Sequence, residues 1–479
     1  MHRIAVINVV GLTEALIGPH TPRLQAFGQA GALAKIKPAF PAVTCTAQST
    51  YLTGSTSSVH GIVGNGWYNR ELAEVQFWKQ SNHLVRGKKL WEELRERDPA
   101  FTCAKLFWWY NMYSSADYSI TPRPMYPADG RKVFDIYTWP YSIRDVIKKD
   151  LGEFPFPTFW GPAAGKESPQ GPPEAATRWI AQSAKWIERT YRPTLNLIYL
   201  PHLDYNLQRH GPYAGSMPHA KNEQIKINPA ILPDLITIDN LVGGLIDFFT
   251  ERSVQVIVLS EYGISNVSWP IHLNRLFRKE GWLTIKEELG RELLDFGASK
   301  VFAVADHQVA HIYVNDSTIT AMVRSFVEKQ AGVQKVMGSA EKSAMGLDHP
   351  RAGDLIAVAD ENAWFTYYYW MEDGLAPDFA RTVDIHRKPG YDPVELFLDP
   401  ALGFPKAKIA WRLLQKKLGF RMLMDVVPLD ATLVKGSHGR KPENPGDFPV
   451  FISPERELLG NPLIEATDVY HILKRHIVK

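Results

Sequence analysis

The seven residues Ile4-Ala5-Val6-Ile7-Asn8-Val9-Val10 constrain the fold more than any other stretch, because all but Asn8 are apolar and most are β-branched. Such a run suits a strand buried on both faces of a parallel sheet, where covering helices leave no wet face for polar residues to alternate toward. Gly11 ends it. The run is short, contains Asn8 and has no small-x-small cleavage pattern behind it, so a first core strand is expected rather than a secretory leader. Helical and extended patterns then alternate. Thr21 before Pro22 is a helix-start signal. Ile180, Ala184, Ile187 and Tyr191 recur at helical spacing ahead of the apolar run Leu195–Leu200. Leu235, Ile238, Val242, Leu245 and Phe249 do the same ahead of Val254–Leu259. This rhythm predicts an α/β fold, a mostly parallel central sheet sandwiched by helices, with ligands bound beyond the carboxyl ends of the strands. Asp204 and Glu261 each follow such an end.

A chain of 479 residues exceeds what one core usually organises, so a second lobe is expected. The organisation read from the sequence is a core over 1–300 with an aromatic-rich insertion near 90–170, an inserted cap over 301–430, and a return to the core over 431–479. The run Trp364–Trp370 within the cap reads as a core strand or the wall of a pocket. With 54 Lys and Arg against 51 Asp and Glu, the net charge of +3 makes no electrostatic case for nucleic acid or an anionic membrane. No uninterrupted apolar run reaches the ~18 residues of a membrane span. Two cysteines, Cys45 and Cys103, form neither a disulfide framework nor a zinc-type spacing, and a reducing cytoplasm is the expected compartment.

The stretch Phe40-Pro41-Ala42-Val43-Thr44, running on through Thr53-Gly54 to His60-Gly61-Ile62, points to a hydroxyl nucleophile. A Thr at a turn between an extended segment and a helix presents its oxygen, and the free N–H groups of the helix start favour an anionic phosphoryl oxygen. This segment resembles the nucleophile region of the alkaline phosphatase superfamily, in the branch of the nucleotide pyrophosphatase/phosphodiesterases and phosphonoacetate hydrolases. The resemblance implies an alkaline phosphatase-like fold with an inserted cap, Thr44 as nucleophile, and metal ligands at six further positions.

Those six are unevenly kept. Asp204 and His438, the latter in Gly436-Ser437-His438-Gly439, match. Glu261, in Ser260-Glu261-Tyr262-Gly263, keeps a carboxylate. Val10, Gln208 and Tyr262 stand where the family has an Asp and two His. The resemblance therefore implies a rebuilt site of Asp204, Glu261 and His438 holding a divalent metal, zinc by analogy, as one ion rather than two. Asn65 and Trp67 fall where the family places an Asn-rich turn, and Trp67 is a candidate to stack on a substrate ring. Lys435, with Arg351, Arg387 and Lys388, is a candidate to hold a phosphate or carboxylate. His307 and His311 share an i, i+4 spacing that suits either ligation or hydrogen-bonded structure.

The expected activity is metal-dependent hydrolysis of a small phosphodiester, pyrophosphate or phosphonate. Two alternatives stand beside it: a binding or scaffold protein that kept the fold and lost the chemistry, and a phosphoryl or sulfuryl transferase or mutase on the same frame.

Overall fold

A computed structural model of the chain describes residues 1–215 and 226–479. Its main sheet has nine strands in the order Leu463–Glu465, Ala32–Lys37, Val450–Ser453, Gln255–Leu259, Ile4–Val9, Leu195–Leu200, Cys103–Leu106, Tyr118–Pro122 and Ile136–Trp139. The five central strands, from Gln255–Leu259 to Tyr118–Pro122, run parallel. The strand Ile4–Val9 is the middle one of the nine and is buried along its whole length.

Helices supply the cover that such a strand requires. Pro22–Ala30, Ala175–Tyr191 and Leu232–Thr250 pack with one another, and Thr44–Thr53 packs with the C-terminal helix Asp468–Val478. The stretch Pro229–Thr250 is long and apolar enough to cross a membrane by length and composition. Here Leu235, Ile238, Val242 and Leu245 turn into the common core, as a soluble core helix does. The aromatic-rich segment near 90–170 supplies three of the sheet's strands, Cys103–Leu106, Tyr118–Pro122 and Ile136–Trp139.

A second lobe is built on a four-stranded antiparallel sheet in the order Val301–Asp306, Val309–Val314, Leu355–Ala359 and Val333–Met337. Its core extends beyond 301–430. Tyr68 and Phe77, from the hairpin Gly66–Asn69 and Glu74–Phe77, pack into it, as do Ile271, Leu273 and Phe277. Of the two readings of Trp364–Trp370, burial favours core: Trp364, Tyr367, Tyr368, Tyr369 and Trp370 are all enclosed in this lobe's apolar cluster.

Two motif glycines are fixed by close approach. A Cβ on Gly263 would meet the Asp447 carbonyl oxygen at 2.0 Å, and one on Gly436 would meet that of Leu207 at 2.0 Å. No side chain fits at either position, so the loops bearing Tyr262 and His438 can lie against the carboxyl ends of the central strands.

Candidate active site

Thr44 is the first residue of the helix Thr44–Thr53, entered from extended backbone at Val43. Its hydroxyl lies 3.3 Å from the Tyr262 phenol oxygen. Tyr262 in turn donates to Asp204 Oδ1 at 3.2 Å. Asp204 sits in the first turn of the helix His202–His210, which begins just past the strand Leu195–Leu200. Gln208, one helical turn on, therefore shares its face and donates from Nε2 to Asp204 Oδ2 at 2.7 Å. The Gln208 amide then meets the Tyr391 hydroxyl, which donates to its Oε1 at 3.1 Å.

A column of rings completes the circuit. Tyr262 stacks on His438 with centroids 3.6 Å apart, His438 lies 3.7 Å from His307, and His307 lies 3.7 Å from Tyr391. The main sheet's Tyr262 and the second lobe's His307 thus sandwich His438. His438 Nδ1 is 2.7 Å from the Ala42 carbonyl, so Nδ1 carries the proton and Nε2 is left as a bare, unpartnered acceptor. Burial, and then the neighbouring His307, push its pKa well below the usual imidazole range. His307 is likewise driven down by burial, with Nδ1 3.0 Å from Asp306 Oδ1 and Nε2 unpartnered.

Glu261 is fully buried beside this circuit. Its Oε1 accepts from Asn8 Nδ2 and Gln48 Nε2, each at 2.5 Å, while Oε2 has no partner. Gln48 is anchored by the Trp109 N–H donating to its Oε1 at 2.7 Å. Burial raises the Glu261 carboxyl to about 8, against the opposing pull of Gln48, Asn8 and Thr44. Asp204 is raised by burial to about 7, with Gln208 and Tyr262 pulling the other way.

Asn65 does structural work beside Thr44. Its Oδ1 accepts from the Cys45 N–H at 3.1 Å, its Nδ2 donates to Asp306 Oδ1 at 3.0 Å, and its backbone N–H donates to Asp306 Oδ2 at 2.7 Å. It ties the first turn of the helix Thr44–Thr53 to the second lobe, and both functional ends of its amide are committed. Trp67 is buried with Cys45, Ile62 and Trp109, and the Arg351 guanidinium covers its ring at 4.7 Å. Lys435 is exposed, its ammonium on the Thr432 carbonyl at 2.8 Å. The substrate contacts expected of Asn65, Trp67 and Lys435 are therefore not offered by this geometry. Arg351 is spent on the Gly61 and Leu84 carbonyls, and Lys388 on buried Asp392 and Glu395 at 2.7 and 2.8 Å.

His307 and His311 do not form a ligand pair. The strand Val301–Asp306 ends before His307 and Val309–Val314 begins after it, so a hairpin turn breaks the shared face. His311 is used up between the Val63 carbonyl and the Gly353 N–H. His210 is exposed at the end of its helix.

The metal implied by the resemblance does not fit these residues. Both Asp204 oxygens already accept from neutral donors, and the Tyr262 phenol stands between Asp204 and Thr44. Val10 is apolar and fully buried. Among the described residues, no three His, Cys, Asp or Glu side chains converge to hold an ion. The expected set of Asp204, Glu261 and His438 is corrected accordingly: a phenol and an amide, not a cation, satisfy the carboxylate.

Sequence reasoning missed Asn8, Gln48 and Tyr391. Asn8 was visible as the lone polar residue in the first strand, and Gln48 lies one helical turn after Thr44. Tyr391 carries no local signal.

A family model for type I phosphodiesterase / nucleotide pyrophosphatase matches residues 4–392. No curated protein matches the chain. Among solved structures, phosphonoacetate hydrolase from Sinorhizobium meliloti in complex with phosphonoformate is similar at 13% identity and a TM-score of 0.58, covering 100% of this chain and 96% of that one. An inactive variant of murine ectonucleotide pyrophosphatase / phosphodiesterase 5 in complex with AMP gives 14% identity and a TM-score of 0.56, over 100% of this chain and 95% of that one. The human counterpart gives 13% and 0.56, over 99% and 95%. At these identities the structures speak for the fold.

Proposed function

Because this chain belongs to the type I phosphodiesterase / nucleotide pyrophosphatase family, we propose that it hydrolyses a small phosphodiester, pyrophosphate or phosphonate, with Thr44 as the nucleophile and a hydroxyl relay as its activator. The observation that carries this reading is the chain of contacts from Thr44 through Tyr262 to Asp204, at 3.3 and 3.2 Å.

In the first step Thr44 Oγ1 forms a bond to phosphorus and the bond to the leaving oxygen, or in a phosphonate the leaving carbon, breaks, the electron pair going with that atom, which takes a proton from water. The Thr44 proton moves to the Tyr262 oxygen as the Tyr262 proton moves to Asp204 Oδ1. Water then attacks the phosphoryl group and gives up a proton that neutralises the hydroxide left by the first step, the bond to Thr44 breaks, and Thr44 Oγ1 takes back the proton from Asp204 through Tyr262. A carboxyl raised to about 7 is a base matched to neutral pH. N–H groups of the first helical turn favour the charge that develops on phosphorus-bound oxygens.

The test is turnover of a nitrophenyl phosphodiester and a phosphonate panel, with mass spectrometry of acid-quenched protein for phosphoryl-Thr44. Turnover that vanishes in Thr44→Val, with the adduct seen in wild type, supports the reading. No turnover and no adduct on any substrate rejects it. A second reading, binding of a phosphoryl ligand without turnover, draws on the near-neutral centre left by Val10, Gln208 and Tyr262. Ligand affinity without turnover would select it.

A further inference from the structure

The near balance of charge over the whole chain hides one strongly basic segment. From Phe404 to Met424 there are six Lys and Arg and no Asp or Glu. Most of this stretch is the helix Pro405–Lys417, and its orientation is inverted relative to an ordinary surface helix, which turns its apolar stripe inward. Lys408 and Arg412 are the half-buried residues, drawn against Asp425 at 2.9 and 3.0 Å. The large apolar side chains face out: Phe404 is 83% exposed, Trp411 58%, Leu414 45%, Leu418 65% and Phe420 65%. Lys406, Lys417 and Arg421 are exposed among them. The patch continues onto a neighbouring loop, because Gly130 lies against the Arg421 guanidinium and Tyr126 and Phe134 are exposed beside Lys132.

We propose that this face docks on an anionic phospholipid surface, with Trp411, Leu414 and Leu418 seated at the headgroup and acyl boundary and the surrounding Lys and Arg on lipid phosphates. The charge distribution selects this occupant. Exposed apolar and cationic side chains share the outer face of this helix, which itself carries no carboxylate, and the one carboxylate on the adjoining loop, Asp129, is paired with Arg131, which is the make-up of an interfacial helix. A second copy of this chain would bring the same cations face to face. Nucleic acid would match the charge and leave Leu414, Leu418 and Phe420 in water. The site built on Thr44 plays no part in the argument, so docking stands or falls independently of the proposed hydrolysis.

The experiment is co-sedimentation of the full chain with vesicles of phosphatidylcholine alone or with one third phosphatidylglycerol. Wild type is expected to sediment with the anionic vesicles at low salt, to be released by added salt, and to leave neutral vesicles largely bare. Trp411→Glu with Leu414→Glu should abolish binding. Lys406→Glu with Lys417→Glu should weaken it by at least about tenfold. All four positions are exposed, so both variants should keep the wild-type melting temperature, which separates lost docking from lost folding. Failure of wild type to bind anionic vesicles overturns the proposal. So does equal binding to neutral vesicles, or a dimer that Trp411→Glu with Leu414→Glu dissociates in the absence of vesicle binding.

Discussion

Tyr262 lies flat on His438, with ring centroids 3.6 Å apart and 8° between the planes, while its hydroxyl reaches from Thr44 to Asp204. One side chain thus packs on an imidazole and joins the Thr44 hydroxyl to a carboxylate. Tyr262→Phe keeps the ring and removes the oxygen. We expect kcat on a nitrophenyl phosphodiester to fall by about 100- to 10,000-fold, the scale of a lost proton-transfer partner. The melting temperature should fall only modestly, because the stacking is retained while Asp204 Oδ1 loses its donor.

Restoring the family's donors should restore a cation site. Val10→Asp with Gln208→His and Tyr262→His replaces an apolar group, an amide and a phenol with three ligands of zinc type. After incubation with zinc and dialysis, elemental analysis should find well under one equivalent on wild type and at least one on the triple variant. A full equivalent on wild type that His438→Ala removes would show that the present donors do hold an ion.

The buried carboxyl of Glu261 makes stability depend on pH. Its folded value of about 8 lies above its ordinary 4.5, so between these limits the folded protein holds a proton that the unfolded chain has released. Its contribution is therefore fully present below about 4.5 and is lost as pH rises toward 8. Asp204, raised to about 7, acts in the same direction. Glu261→Gln keeps an acceptor for Asn8 and Gln48 and cannot titrate. Denaturant unfolding from pH 5 to 9 should show wild type losing up to about 1.4 kcal/mol per pH unit relative to the variant. Parallel curves would exclude the buried proton.

Asn65 donates to Asp306 and accepts from the helix Thr44–Thr53, so only an amide satisfies both neighbours. Asn65→Asp retains the acceptor for Cys45 and sets two buried carboxyls against each other. It should cost about 2–4 kcal/mol near neutral pH, with the loss shrinking as acid protonates one of the pair. Chemical unfolding at pH 5 and pH 8 reads this directly.

Local pattern carried the reading of the fold where local pattern decides structure. The apolar run at Ile4–Val9 became the middle strand, Thr21-Pro22 opened a helix, and the periodic stretches before 195 and 255 became Ala175–Tyr191 and Leu232–Thr250. Thr44 at a helix start and Asp204 and Glu261 beyond strand ends were legible for the same reason. Tyr391 was not, nor was the stacking of His307 on His438, because what places them is packing between lobes across large sequence separations. The His307 and His311 spacing misled because equal intervals along the chain say nothing of an intervening hairpin turn. Average charge concealed the segment from Phe404 to Met424, since a sum over 479 residues cannot register one cationic face.

The ring column and the hydrogen-bonded path share both their ends, Tyr262 and Tyr391, so neither can be released alone. Withdrawing Tyr391 with its lobe would carry His307 along, parting it from His438 and stripping Gln208 of a partner at the same moment. Parting the lobes at this seam would therefore break the ring column and the hydrogen-bonded path as one unit, leaving Gln208, and through it Asp204, to find other partners.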